Sequence, residues 1–205
     1  MNKKFLNFLI RLQKKQNELF DFIVFFNDLI MKLMLNRRQK ALLKNYYSEF
    51  TILEKKYYIS ILRFNRLGEI YQFFNLSFNN NSANFFLPHK TDLKSLKKIF
   101  RRISYVPLGI FYEDTIIGYA LIRLFFPCVA SYFISIANQW QGKGIGTAAL
   151  ERQLALINIL NFQPYSMVNK NNLKSIKMLK KLNIEFGKDL GAFFEVKDRV
   201  GANKN

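Results

Sequence analysis

Apolar residues recur at helical spacing at the start of the chain, at strand spacing through its middle, and at helical spacing again between the later strands. Phe5, Phe8, Leu9 and Leu12 share one stripe and Leu19, Ile23, Phe26 and Ile30 another, so residues 1–50 read as helix. The second arc is wide, taking in Phe22, Phe25 and Leu29. Helices of this kind pack on the rest of the chain or on a second copy. Asp21 and Asp28 count against a membrane-surface role, since they would oppose an anionic surface. The segment therefore reads as an appendage, and a chain starting at Met34 is expected to fold.

The pattern changes from residue 56. Residues 57–64 form a β-rich run, and residues 68–78 look helical through Ile70, Phe73, Phe74 and Leu76. A polar break over residues 79–82 precedes an amphipathic helix at 92–102, with Leu93, Leu96, Ile99 and Phe100 opposite Lys94, Lys97, Lys98 and Arg101. Strands are predicted at 106–112 and 115–124, joined at Glu113-Asp114, and again at 131–137. A long helix over 142–160 leads past Pro164 to a strand at 165–168, a helix at 172–182, and closing strands at 184–186 and 192–196. The order β-α-α-β-β-β-α-β-α-β-β predicts an α/β fold: a mixed, mostly antiparallel central sheet flanked by helices, with an N-terminal helical extension. Residues 1–50 are the expected extension and residues 51–205 the expected domain.

Composition narrows the function. Half of the 205 residues are hydrophobic and 16% aromatic, enough for a real core. Thirty-two Lys and Arg against 14 Asp and Glu give a net charge of +18, which attracts anions without choosing among RNA, ribosome, acidic membrane and polyphosphate ligand. Cys128 and His89 are the only residues of their kinds, so no intrachain disulfide and no Cys/His zinc site can form, and no metal is expected. A histidine-dependent hydrolase would have to be built around His89, in a loop before a helix, where a buried and satisfied imidazole is the expected state. Charges interrupt both N-terminal apolar runs well short of the ~20 residues a span needs, and no cleavage site follows them. The chain reads as soluble and cytoplasmic, or stromal if an organelle encodes it.

The chemistry concentrates in Gln141-Gly142-Lys143-Gly144-Ile145-Gly146-Thr147, between a strand and a long helix. The first turn of a helix leaves N–H groups without partners and carries partial positive charge, so phosphate oxygens fit there. Glycines let a pyrophosphate approach the backbone, and Lys143 adds a cation. The spacing is not the dinucleotide fingerprint, because Thr147 stands at its third glycine position. It is not a P-loop either, since no lysine separates Gly146 from Thr147. A plain tight turn would need only one of the three glycines.

Gln141, Gly144 and Gly146 match the Gln/Arg-x-x-Gly-x-Gly/Ala pattern, and over residues 56–197 the chain resembles the GNAT (GCN5-related) N-acetyltransferases. Tyr132-Phe133-Ile134-Ser135-Ile136 resembles the family's splayed fourth strand, and Ile117-Gly118-Tyr119-Ala120 its third. Val168 with Asn172-Leu173-Lys174-Ser175-Ile176 and Leu182 resembles its second signature, although Asn172 is also a plain N-cap candidate. The resemblance implies acetyl-CoA as co-substrate, held by Ile134, Ser135, Ile136, Gln141, Gly142, Lys143, Gly144, Ile145, Gly146, Thr147 and Asn172. It implies acetyl transfer to a primary amine, with the amide near Ile136 polarising the thioester carbonyl. The acceptor would be a protein N-terminus, a lysine or a small amine; residues 85–89 faintly resemble amino-sugar acetyltransferases. The alternative is a basic CoA-binding or ribosome-associated protein with weak catalysis, and a homodimer stays open.

Three family features depart. The usual tyrosine acid position is Leu179, the usual Gly-Phe is Asn183-Ile184, and the splayed strand carries no carboxylate base. Water or Tyr165 would then handle protons, and Leu179→Tyr is expected to raise turnover.

Overall fold

The computed structural model describes residues 17–77 and 88–197. The stripe at Phe5–Leu12, the polar break at 79–82 and Phe85 to Leu87 lie outside them.

Two helices open the described chain, α1 (Asn17–Met34) and α2 (Arg37–Asn45). Asn36 caps α2 in a capping box with Gln39. Residues 46–52 are not helical as expected: β1 (Tyr47–Ile52) turns at Leu53-Glu54 into β2 (Lys55–Ile61). Helices α3 (Leu67–Ser77) and α4 (Leu93–Phe100) follow, then β3 (Tyr105–Tyr112), β4 (Thr115–Phe125) and β5 (Val129–Ile136). After α5 (Ile145–Ile159) come β6 (Gln163–Asn169), α6 (Leu173–Lys181), β7 (Glu185–Asp189) and β8 (Phe193–Lys197).

The eight strands of the described residues form one sheet in the order β1-β2-β3-β4-β5-β6-β8-β7. Only β5–β6 pairs in parallel, so the sheet is mixed and mostly antiparallel, as the sequence pattern predicts. Side chains alternate across it. Leu108, Ile110, Ala120 and Ile122 meet Met31, Leu35, Leu150, Leu154 and Leu179 on one face. Phe111, Tyr119 and Leu121 meet Ile70, Phe73, Phe74, Leu96 and Ile99 on the other. Cover on both faces explains why β4 is a nearly continuous apolar run.

The N-terminal helices are built into this packing. Val24, Met31 and Leu35 are buried, and Met31 and Leu35 join the main core. Asn27 Nδ2 donates to the Leu124 carbonyl at 2.8 Å, and Asn27 Oδ1 accepts from Phe126 N–H at 3.1 Å. From α2, Gln39 Nε2 donates to Leu160 O at 2.7 Å, and Tyr46 O–H donates to Arg152 O at 2.8 Å. Starting the chain at Met34 would remove the buried Val24 and Met31 and both Asn27 hydrogen bonds, so that truncation is expected to destabilise the fold rather than spare it.

Candidate active site

The parallel pair is short. Val129, Ala130 and Ser131 pair with Gln163, Pro164 and Tyr165, and beyond them β5 and β6 have no paired residues while β6 continues against β8. The two strands therefore part like a V whose apex is Ser131–Tyr165. Ser166 Oγ still reaches across to the Tyr132 carbonyl at 3.2 Å. At the far end, Gln141 Nε2 donates to the Ile136 carbonyl at 2.8 Å.

Those two contacts fix which backbone groups face the gap. Strand edges alternate, and Ala137 N–H donates to Ile117 O on the β4 side. The main-chain groups of Tyr132, Ile134 and Ile136 accordingly point away from β4 and into the V. Ile134, Ser135 and Ile136 are half-buried, with Ser135 opposite Tyr119 across β4. Gly118 permits this placement, because a Cβ there would stand 2.7 Å from Ile136 Cδ1 and 2.9 Å from the Ser135 carbonyl.

The glycine turn sits at the open mouth. Gly144 is the N-cap of α5, with φ 85° and no side chain capping the helix. The first helical hydrogen bond is Ala148 N–H to Gly144 O, which leaves the amides of Ile145, Gly146 and Thr147 available. Gly146 packs α5 against β5 and α6: its Cβ would meet Ile136 Cγ1 at 3.4 Å and Met178 Sδ at 3.5 Å. Gly142 also has positive φ, 77°. Gly142 and Gly144 thus answer a conformational demand, while a Cβ on Gly146 would make ordinary contact, so the turn needs two glycines where a plain one needs a single residue.

Two exposed cations flank the turn. Lys143 Nζ lies 5.0 Å from the Trp140 ring, and Lys174 Nζ donates to Gln141 Oε1 at 3.1 Å. Gln141 braces β5, the turn and α6 together, a role its motif position alone did not reveal. Asn172 caps α6, its Oδ1 accepting from Ser175 N–H at 3.1 Å. Among the described residues no group of three or more His, Cys, Asp and Glu could hold a metal ion.

Leu179 does not stand free beside this gap. It is 4% exposed and packs in the main core with Val168, Ile184 and Val196. Leu179→Tyr would overfill that space and bury a hydroxyl, so it is expected to lower unfolding free energy by ~1–3 kcal/mol without raising turnover. Urea melts beside thiol-release assays check both halves.

Tyr165, at the apex, is half-buried. Burial, and then the nearby Glu195 carboxylate, push its phenol above the ordinary tyrosine value, so it stays protonated at neutral pH.

His89 lies on the α3–α4 face and is satisfied on both nitrogens. The carbonyl of Lys90, 2.8 Å from Nδ1, requires Nδ1 to carry the proton, so Nε2 accepts from Tyr119 O–H at 3.0 Å. Burial depresses its pKa to about 4. In the unfolded chain the imidazole binds a proton below about 6.5, whereas the folded one resists until about 4. Stability is therefore fully present above about 6.5 and falls as pH drops toward 4. Denaturant melts at pH 7 and pH 4.5 should show a smaller acid loss in His89→Gln than in wild type.

An α/β sheet splayed at one parallel pair, with an uncapped helix at its mouth, defines a class of acyl-carrier-dependent transferases. A sequence model of the Acetyltransferase (GNAT) family matches residues 67–184, more than half of the chain, and the protein belongs to that family. It is an N-acetyltransferase with acetyl-CoA as co-substrate. No curated protein matches it significantly. Solved structures share the fold at low identity. The GNAT domain of S. lividans PAT is 12% identical, with a TM-score of 0.64 over 73% of this chain and 94% of that one. The ribosomal-protein-S5-alanine acetyltransferase from Vibrio fischeri is 16% identical, with a TM-score of 0.58 over 73% and 94%. The PaiA N-acetyltransferase of Thermoplasma acidophilum, in complex with coenzyme A, is 16% identical, with a TM-score of 0.57 over 68% and 96%.

Proposed function

We propose that the chain transfers the acetyl group of acetyl-CoA to a primary amine entering from the α3–α4 face of the V. The observation that carries this reading is the juxtaposition of an uncapped helix N-terminus with an unpaired strand edge. The amides of Gly144, Ile145, Gly146 and Thr147, with Lys143 and Lys174, would take the diphosphate. The exposed edge at Ile134 and Ile136 would pair with the amide groups of the pantetheine arm, with Ser135 on the acceptor side. Gln141 and Asn172 would hold the turn and α6 in register with that edge.

When bound, acetyl-CoA supplies an activated thioester. The residues of the chain then position and polarise. The Ile134 N–H, aimed into the gap and nearer the apex than Ile136, donates to the thioester carbonyl as charge develops on oxygen. Tyr165 keeps its proton for the departing sulfur. The acceptor ammonium loses its proton to water, since β5 offers only Ser131 and Ser135 on the acceptor side.

A peptide N-terminus is the acceptor class best supported, through the shared fold with the Vibrio enzyme; lysine and amino-sugar amines complete the panel. Free-thiol release would be followed with acetyl-CoA and each amine. Acceleration over hydrolysis by at least one amine is the expected result, and its absence across all three classes would refute the reading.

A further inference from the structure

The outward stripe of α1 is unlike the rest of the surface. Phe22, Phe25, Phe26, Leu29 and Leu33 follow helical spacing, and all are 46–80% exposed. The opposite stripe is tied down by Val24, Asn27 and Met31, so α1 is held with this apolar row facing out. An apolar recess of about 270 Å³ opens beside it, lined by Phe22, Ile23, Phe26, Ile30, Leu124 and Phe125. Contiguous exposed apolar surface of this kind marks an interaction site.

The sequence objection to a lipid surface was Asp21 and Asp28, and in the structure both carboxylates are paired with the protein body. Asp21 is turned to the protein body, 3.0 Å from Lys98 Nζ and 3.5 Å from Arg102 Nη2. Asp28 Oδ1 accepts from Ser104 N–H at 2.8 Å. α1 itself carries Lys32 against Glu18, Asp21 and Asp28, so the attraction to an anionic surface comes from the chain's excess of 32 Lys and Arg over 14 Asp and Glu. Net charge decides between occupants. Two copies meeting on this face would each carry +18, which opposes association, whereas an anionic bilayer gains from the same charge. The row is also too short and interrupted to span, and among the described residues no helix is long and apolar enough to cross a membrane.

We propose that the outward face of α1 docks the protein flat on an anionic lipid bilayer. Aromatic and leucine side chains enter the headgroup–acyl boundary, acyl chains fill the recess, and the chain's net charge of +18 draws it to the anionic headgroups. This places the transferase at a membrane surface through a helix that lies on it.

The test uses the full chain with phosphatidylglycerol–phosphatidylcholine vesicles and with phosphatidylcholine vesicles alone. Sedimentation with the anionic vesicles, weakened by salt and weak on the neutral ones, is expected. Phe22→Ser/Phe25→Ser/Leu29→Ser should lower partitioning about 1,000-fold, reckoning roughly tenfold for each large apolar side chain withdrawn from lipid. These side chains face outward, so its melting temperature and acetyl-CoA affinity should match wild type. Should the triple variant fail to fold, Phe25→Ser/Leu33→Ser, at the two most exposed positions, gives the same reading. Equal binding to neutral vesicles, no binding to anionic ones, or unchanged partitioning of a folded variant would overturn the proposal. So would a vesicle-free dimer that the same substitutions dissolve, which would make a second copy the occupant.

Discussion

Titrating acetyl-CoA into Gly144→Glu should give no measurable binding heat, while its far-UV spectrum stays that of wild type. The first cause is electrostatic. A carboxylate placed at the N-cap of α5 can accept from the amides of the first turn and occupy the donors a diphosphate would use. It also sets like charge beside the phosphates. At ~4 Å and an effective dielectric of ~20, one such pair costs roughly 4 kcal/mol, on the order of a 1,000-fold loss of affinity. Backbone strain must be separated from this, because Gly144 has φ 85° and any L-residue there is strained by ~1–2 kcal/mol. Gly144→Ala carries the same strain without charge, and its Cβ would meet only Ile52 Cδ1, at 3.7 Å. Alanine should therefore melt lower and still bind. If both variants bind as wild type does, the turn does not hold the diphosphate.

The parts of the fold with strong periodicity were legible from residues alone. Long β-rich apolar runs gave β3, β4 and β5, and the 3.6-residue stripe gave α4 and α5. β1 escaped because its hairpin turns on Leu53 and Glu54 at φ 48° and 63°, where the usual Asn or Gly signal is missing. The standing of α1 and α2 was hidden for another reason. Periodicity marks an apolar stripe without saying what covers it, and here two stripes exist, one buried through Met31 and one left open through Phe25. At the site, the glycine turn and its uncapped helix could be read directly. The V depends on where β5–β6 pairing stops, which is a property of two strands 34 residues apart (Tyr132 and Ser166) and has no local signal. The brace made by Gln141 needed Ile136 and Lys174 in three dimensions, and the burial of Leu179 needed Val196 from the last strand.

Tyr165→Phe tests the chemistry most sharply. With Leu179 packed in the core, the α6 position that would serve as acid has no proton and no room for one. Tyr165 fills that role through location and protonation together. It is the last β6 residue paired with β5, opposite Ser131, so it stands where the strands begin to part. Burial and the neighbouring Glu195 charge hold its proton well into the alkaline range, making it a donor to a thiolate at neutral pH. Removing only the hydroxyl leaves the ring's packing, and a positioned proton donor accelerates such steps ~10²–10⁴-fold. Turnover of Tyr165→Phe with the best amine should accordingly drop by about 100-fold, while calorimetry returns the wild-type affinity for acetyl-CoA. The pH profile adds a readout that packing would not move. Wild-type rate should fall at alkaline pH as the phenol ionises, and the phenylalanine variant should lose that limb. A folded variant with wild-type turnover and an unchanged alkaline limb would assign the proton to water instead.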